Sequence, residues 1–189
     1  SMLYDSVSLY STTDHLSAIE IANHTLSMEN VSNGSIILDA TACIGGNTYA
    51  FAKRFKHVHA VEIDHARAAM LKHNMAVLSV DSHVTVHEGD FCLLWRSMMR
   101  SSFDPKNTIV FIDPPWGGTN YKYRSTVSLK LGNCELAELC LELYPCFKAL
   151  VIKVPYNYDY AHFKTVHPDC RCVDITPKIK LILLNSNTD

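Results

Sequence analysis

Short apolar runs alternate with amphipathic stretches along this chain, and that rhythm predicts its elements. Residues 3–12 are polar and aromatic without a period, with Leu9-Tyr10 as a small apolar anchor. Thr13 or Asp14 is placed to cap a helix reaching about Leu26, with Leu16, Ile19, Ile21, Ala22 and Leu26 as its apolar face. After the Asn33-Gly34 turn, residues 35–38, 58–61, 84–87, 108–112 and 149–154 form short runs rich in branched side chains, as strands do. Helical stretches separate them. Residues 48–55 form one, and the next carries Ala66, Ala69, Met70, His73 and Val77 on or near one face. A third holds Leu93, Leu94, Met98 and Trp95, the last assigned to the core, and residues 135–143 and 161–166 complete the set. Residues 119–130 read as a long polar loop, and residues 173–176 and 179–184 as a closing pair of strands joined at Pro177-Lys178.

Strand–helix alternation ending in an antiparallel pair predicts an α/β fold with a mostly parallel sheet. At 189 residues and 48% hydrophobic, the chain suits one domain with a core of its own. We divide it into a short N-terminal segment, 1–12, and a domain over 13–189. Ser1-Met2 reads as an artificial leader and is left out of the fold argument. No apolar run approaches the ~20 residues of a membrane span, and no signal peptide is recognisable, so a soluble intracellular protein is expected.

Charge narrows the partners. A net charge of −2 is not the footprint of a protein that grips long nucleic acid by its backbone, though it permits a short RNA end held by stacking. The ten histidines are scattered and read as surface residues. The seven cysteines lack paired zinc spacing and read as reduced thiols, so no metal is expected.

The candidate chemistry lies where strands end. The run 108–112 stops abruptly at Asp113-Pro114-Pro115-Trp116-Gly117-Gly118. Proline cannot donate to a sheet ladder, so the acid and the indole project from the carboxyl edge, where open α/β sheets bind ligands. The Asp113 carboxylate and the Pro114 carbonyl can accept from an exocyclic amine while Trp116 stacks on the ring, a contact worth about 1–3 kcal/mol per base. Asp39 closes the first strand and opens Ala40-Thr41-Ala42-Cys43-Ile44-Gly45-Gly46-Asn47-Thr48, which is neither a dinucleotide fingerprint nor a phosphate loop. An acid there repels pyrophosphate and suits an amino group. Glu62-Ile63-Asp64 after the second strand fits a ribose ligand or a helix cap, and both readings stay open. Asp90-Phe91 after the third is placed for an adenine amine. Tyr121, Lys122, Tyr123 and Arg124 interleave aromatic and basic residues, suiting a nucleotide with phosphates or a solvated loop. Amine, ribose and adenine in that order describe S-adenosyl-L-methionine.

Taken together, Asp39-Ala40, Gly45-Gly46-Asn47-Thr48, Glu62-Ile63-Asp64, Gly89-Asp90-Phe91 and Pro114-Pro115-Trp116-Gly117-Gly118 with Tyr121 resemble the trimethylguanosine synthase family over roughly residues 9–157. These are class I S-adenosylmethionine-dependent methyltransferases with a Rossmann-like, mostly parallel seven-stranded sheet and helices on both faces. They methylate the N2 amine of a 7-methylguanosine RNA cap. The resemblance implies that Asp39, Thr41, Gly45, Asn47, Thr48, Glu62, Ile63, Asp90, Phe91 and Asp113 hold the cofactor and that Thr13 closes over it. It also implies that Asp113, Pro114 and Trp116 carry the transfer, with Trp116, Tyr121 and Asn157 lining the cap pocket. The chain departs from the family in having Asp113 for serine, Glu62 for aspartate, and little N-terminal extension. The expected partner is 7-methylguanosine-capped RNA of small nuclear, nucleolar or viral type, met by a monomer in the nucleus or cytoplasm. The alternatives are another exocyclic-amine or amide methyltransferase, of the adenine-N6 type, and a non-catalytic cap-binding module.

Overall fold

The computed structural model describes residues 1–101 and 103–186. In chain order the elements are α1 (Ser8–Ser11), α2 (His15–Leu26), β1 (Ile36–Asp39), α3 (Gly46–Ala52), β2 (His57–Glu62), α4 (His65–Val77), β3 (Val84–Glu88) and α5 (Phe91–Ser101). They continue with β4 (Thr108–Ile112), β5 (Lys130–Leu131), β6 (Cys134–Glu135), α6 (Leu136–Leu143), β7 (Ala149–Pro155), α7 (Tyr160–Val166), β8 (Arg171–Thr176) and β9 (Ile179–Asn185). Among the described residues, seven strands form one sheet in the order β3-β2-β1-β4-β7-β9-β8. The first five run parallel, and β9 lies antiparallel to both β7 and β8. The expected mostly parallel sheet with a closing antiparallel pair is what forms.

Period-two alternation builds two cores. On β4, Val110 and Ile112 face one side while Ile109 and Phe111 face the other. The first side packs on α5, α6 and α7 through Trp95, Leu139, Phe147 and Phe163, with Trp95 buried as expected. The second packs on α2, α3 and α4 through Ile21, Phe51, Leu71 and Met75. Burying each large side chain contributes about 1.5–3 kcal/mol.

Four expectations are corrected. The buried face of α4 is Ala68, Leu71, Asn74 and Met75, whereas Ala66, Ala69, His73 and Val77 are exposed. Both faces carry apolar residues, and the larger Leu71 and Met75 win the core; the polar Asn74 hid that face from the pattern. Leu9-Tyr10 is no anchor, since both side chains are exposed and Ser8 is the buried residue of α1. The first residues do pack. Leu3 bonds through its backbone N–H and C=O to the Asn74 side chain, and the Ser1 carbonyl lies 3.0 Å from His73 Nε2. The stretch 119–130 is not wholly polar, because Val127 and Leu129 are core residues. Finally, His59 and His167 are buried rather than superficial, and His59 Nδ1 lies 3.0 Å from His87 Nε2. Burial, with His87 and His57 nearby, pushes His59 down to about 4. All seven cysteines are free thiols.

Candidate active site

Because β1, β2, β3, β4 and β7 are parallel, their carboxyl ends share one edge, and the acids that close them converge there. Asp39 is fully buried; its Oδ2 accepts from the Thr48 hydroxyl at 2.7 Å and its Oδ1 from the Thr41 N–H at 3.3 Å. Burial pushes its carboxyl up to about 7, and the charges of Asp113 and Glu62 act in the same direction. Such a group gains most from a cationic ligand.

The turn after β1 is packed so tightly that it excludes side chains. Gly45 has φ +105°, and a Cβ there would run into Met75 and lie 2.8 Å from Leu71 Cδ1. At Gly46 a Cβ would lie 2.9 Å from the Thr13 carbonyl oxygen. The helix begins at Gly46, two residues before the expected start. Asn47 donates from Nδ2 to Thr13 Oγ1 at 2.8 Å, while its Oδ1 is buried without a protein partner. An orphan acceptor beside a glycine cradle and a buried acid fits the amino-acid end of S-adenosylmethionine.

Of the two acids at the end of the second strand, the second takes the capping role. Asp64 caps α4 by accepting from the Arg67 N–H. Glu62 is buried; its Oε2 accepts from the Cys43 N–H at 2.9 Å, and its Oε1 accepts from the Asp64 N–H at 2.9 Å and from Arg67 Nε at 3.4 Å. It braces the turn after β1 and keeps acceptor capacity to spare. Ile63, beside it, is 66% exposed, an apolar surface at the sheet edge. Asp90 accepts from the Cys92 N–H at 2.9 Å and so shapes the start of α5, while the Phe91 side chain is buried.

At the end of β4, the Asp113 N–H donates to Thr41 Oγ1 at 2.8 Å, tying this loop to the turn after β1. Asp113 Oδ2 accepts from Lys153 Nζ at 2.8 Å. Burial raises the Asp113 carboxyl, and the Lys153 ammonium opposes it. Lys153 also donates to Thr13 Oγ1 at 2.9 Å and sits 4.9 Å from the centroid of the Trp116 ring. Pro114 is buried, and Trp116 is half-buried with its Nε1 lacking a protein partner. Tyr121 meets the indole edge-on at 5.2 Å. Asn157 donates to the carbonyls of Tyr121 and Arg124 at 2.9 and 2.8 Å, so it staples the loop that carries Tyr121. Its Oδ1 is buried without a partner.

The structure thus gathers Thr13, Thr41, Asn47 and Asp113 into one network and sets Trp116 with Tyr121 beside it. Sequence reasoning missed Lys153 at its centre. The signal was a single lysine in the apolar run Ala149-Leu150-Val151-Ile152-Lys153-Val154.

Comparison with known proteins bears on the family and the fold. A profile described as RNA cap guanine-N2 methyltransferase matches residues 34–188. The trimethylguanosine synthase of Schizosaccharomyces pombe is 35% identical over 126 residues, 66% of this chain and 50% of that protein. An uncharacterised protein of Acanthamoeba polyphaga mimivirus is 32% identical over 130 residues, 68% of this chain and 49% of its own length. The chain therefore spans about half the length of these curated relatives. Among solved structures, a Porphyromonas gingivalis protein described as a putative methyltransferase superposes with a TM-score of 0.68 at 15% identity, covering 98% of this chain and 43% of that one. That likeness shows the fold, a class I S-adenosylmethionine-dependent methyltransferase sheet. With the matched profile covering most of its length, the chain belongs to the RNA cap guanine-N2 methyltransferase family.

Proposed function

We propose that the protein methylates the exocyclic N2 amine of a 7-methylguanosine RNA cap, giving 2,7-dimethyl- or 2,2,7-trimethylguanosine. The observation that carries this reading is the end of β4. There a carboxylate and the following proline carbonyl lie beside an indole, and the Thr41–Asp113 hydrogen bond joins them to the turn that fits the cofactor.

Asp39, Thr13 and Asn47, with the backbone at Gly45 and Gly46, would hold the amino-acid portion of S-adenosylmethionine. Glu62, Ile63, Asp90 and the Phe91 backbone would take the nucleoside. Bound there, the cofactor supplies a methyl group on a sulfonium, a strong electrophile. The chain's own work is on the acceptor. An exocyclic guanine amine is a poor nucleophile because its lone pair is conjugated with the ring. Asp113 and the Pro114 carbonyl accept its two N–H groups, which favours the pyramidal amine and aims the freed lone pair. The proton that the amine gives up on methylation would pass to Asp113 or water. Orientation and fixed electrostatics supply the acceleration. Trp116 stacks on the base; a 7-methylated guanine is cationic, which adds about 0.5–2 kcal/mol of cation–π attraction. Tyr121 and Asn157 form and brace the wall beside it.

Capped RNA of small nuclear, nucleolar or viral type is the partner this reading implies, met by a monomer in the nucleus or cytoplasm. The carboxylate at position 113 also suits an adenine-N6 type of acceptor, and that is the rival. The deciding experiment incubates the protein with S-adenosylmethionine and 7-methyl-GTP and follows mass. A gain of one or two methyl groups is expected. Transfer to adenine-containing RNA with none to 7-methyl-GTP would overturn the assignment.

A further inference from the structure

We infer that Lys153 is a positioning residue of the acceptor site. Its buried ammonium holds the Asp113 carboxylate as an oriented hydrogen-bond acceptor, neutralises it beneath the Trp116 ring, and ties both to Thr13. This inference rests on the acceptor chemistry proposed above.

Strand geometry places the side chain. Ile152 and Val154 belong to the core beneath α5, α6 and α7, so Lys153 between them points to the opposite face, toward the start of α2. It is buried, and a buried ammonium is costly unless it is fully paired. A lysine has three donors and no acceptor. One goes to Asp113 Oδ2 at 2.8 Å and one to Thr13 Oγ1 at 2.9 Å, and the ammonium lies 4.9 Å from the Trp116 centroid. Each of those three groups has a place in the proposed site, so a single cation registers acceptor acid, stacking ring and cofactor strap against one another.

The pairing has two chemical consequences. With Oδ2 engaged by Lys153, Oδ1 is the oxygen left to receive an amine N–H. A protonated Asp113 would offer a hydroxyl instead, the wrong partner for an N–H donor. The group that bears on Asp113 is Lys153 from β7, which favours the carboxylate against the cost of burial, while the Asp113 charge in turn raises the buried acid Asp39 closing β1. Thr41 contributes a neutral hydroxyl. Removing Lys153 therefore leaves burial unopposed. The second consequence concerns the base. A cationic 7-methylguanine stacked on Trp116 lies near the ammonium, and the Asp113 charge is what cancels that repulsion. Acid and lysine should then act as a unit: losing the acid alone harms cap binding more than losing both.

The test uses the full chain with Lys153→Met, Asp113→Asn and the double replacement. Titrating Asp113 in the free protein by carboxyl carbon NMR reads the first consequence without turnover. Its midpoint should rise by about 1–3 pH units in Lys153→Met, and the acidic limb of the rate profile should move with it. Quenching of tryptophan fluorescence by 7-methyl-GTP reads the second. Asp113→Asn should bind on the order of tenfold more weakly, with the neutral double variant recovering most of the loss. A midpoint unmoved by Lys153→Met, or a double variant no better than Asp113→Asn, would overturn the inference. Failure of the unaltered protein to methylate 7-methyl-GTP would instead sink the functional reading, and the carboxyl titration distinguishes the two.

Discussion

Replacing Asp39 by asparagine should stabilise the ligand-free protein at alkaline pH while removing its hold on the cofactor. The folded carboxyl is raised from 3.8 to about 7, so the unfolded chain releases this proton first. The stability tied to the protonated form is therefore complete below about pH 4 and is lost as pH rises through about 7. At 1.36 kcal/mol per pH unit the gap corresponds to about 4 kcal/mol. Asp39 is fully buried, so solvent does not screen this cost. Roughly 1.5 kcal/mol of it is already lost at about pH 5, so the advantage of the variant should widen by about 2.5 kcal/mol between about pH 5 and pH 8. Asparagine keeps one acceptor for Thr48 or Thr41, and any loss there is a pH-independent offset that drops out of the comparison. Urea unfolding of both proteins at the two pH values measures the difference. Adding S-adenosylmethionine should stabilise the natural protein far more than the variant. A stability difference that stays constant with pH would refute the reasoning, because it would mean that Asp39 carries no penalty for its charge.

Trp116→Ala should erase the preference for 7-methyl-GTP over plain GTP along with most of the affinity, since the cation–π contribution goes with the ring; competition binding with the two nucleotides reads this ratio. Gly45→Ala forces a side chain into a left-handed conformation against Leu71 and Met75 and should cost about 1–3 kcal/mol in urea unfolding, together with cofactor affinity. Asn74→Leu removes the bonds to Leu3 N–H, Leu3 C=O and Ile44 C=O, which measure 2.7, 2.9 and 3.1 Å. It should cost about 2–4 kcal/mol and open residues 1–12 to limited proteolysis, while an unchanged cleavage pattern would show that the segment is held by other contacts.

Much of this protein was legible in its local patterns. Short runs of branched apolar side chains marked the five parallel strands, because strands covered on both faces read as continuous apolar runs, and helical spacing marked the layers around them. The acids Asp39, Glu62, Asp90 and Asp113 could be assigned to one edge from order alone, because parallel strands present all their carboxyl ends together. Trp116 could be placed at that edge because Pro114 ends the strand before it.

Tertiary structure decided what depends on distant partners. Whether α4 buries its 66–69–73 side or its 68–71–75 side turns on which face fills the space against the sheet, and Asn74 earns its burial by meeting Leu3, 71 residues away, and Ile44, 30 residues away. Leu9 and Tyr10 look like an anchor in isolation, yet α1 turns them outward. Glu62 and Asp64 look interchangeable in sequence, and only the approach of the Cys43 N–H makes one a brace and the other a cap. Lys153 is the sharpest case. A lysine in an apolar strand is unfavourable by every local rule, and what makes it tenable is an acid 40 residues back and a threonine 140 residues back. Periodicity records which way a residue faces within its own element. The partner that satisfies a buried charge is set by how separate elements meet, and that is settled only when the chain is folded.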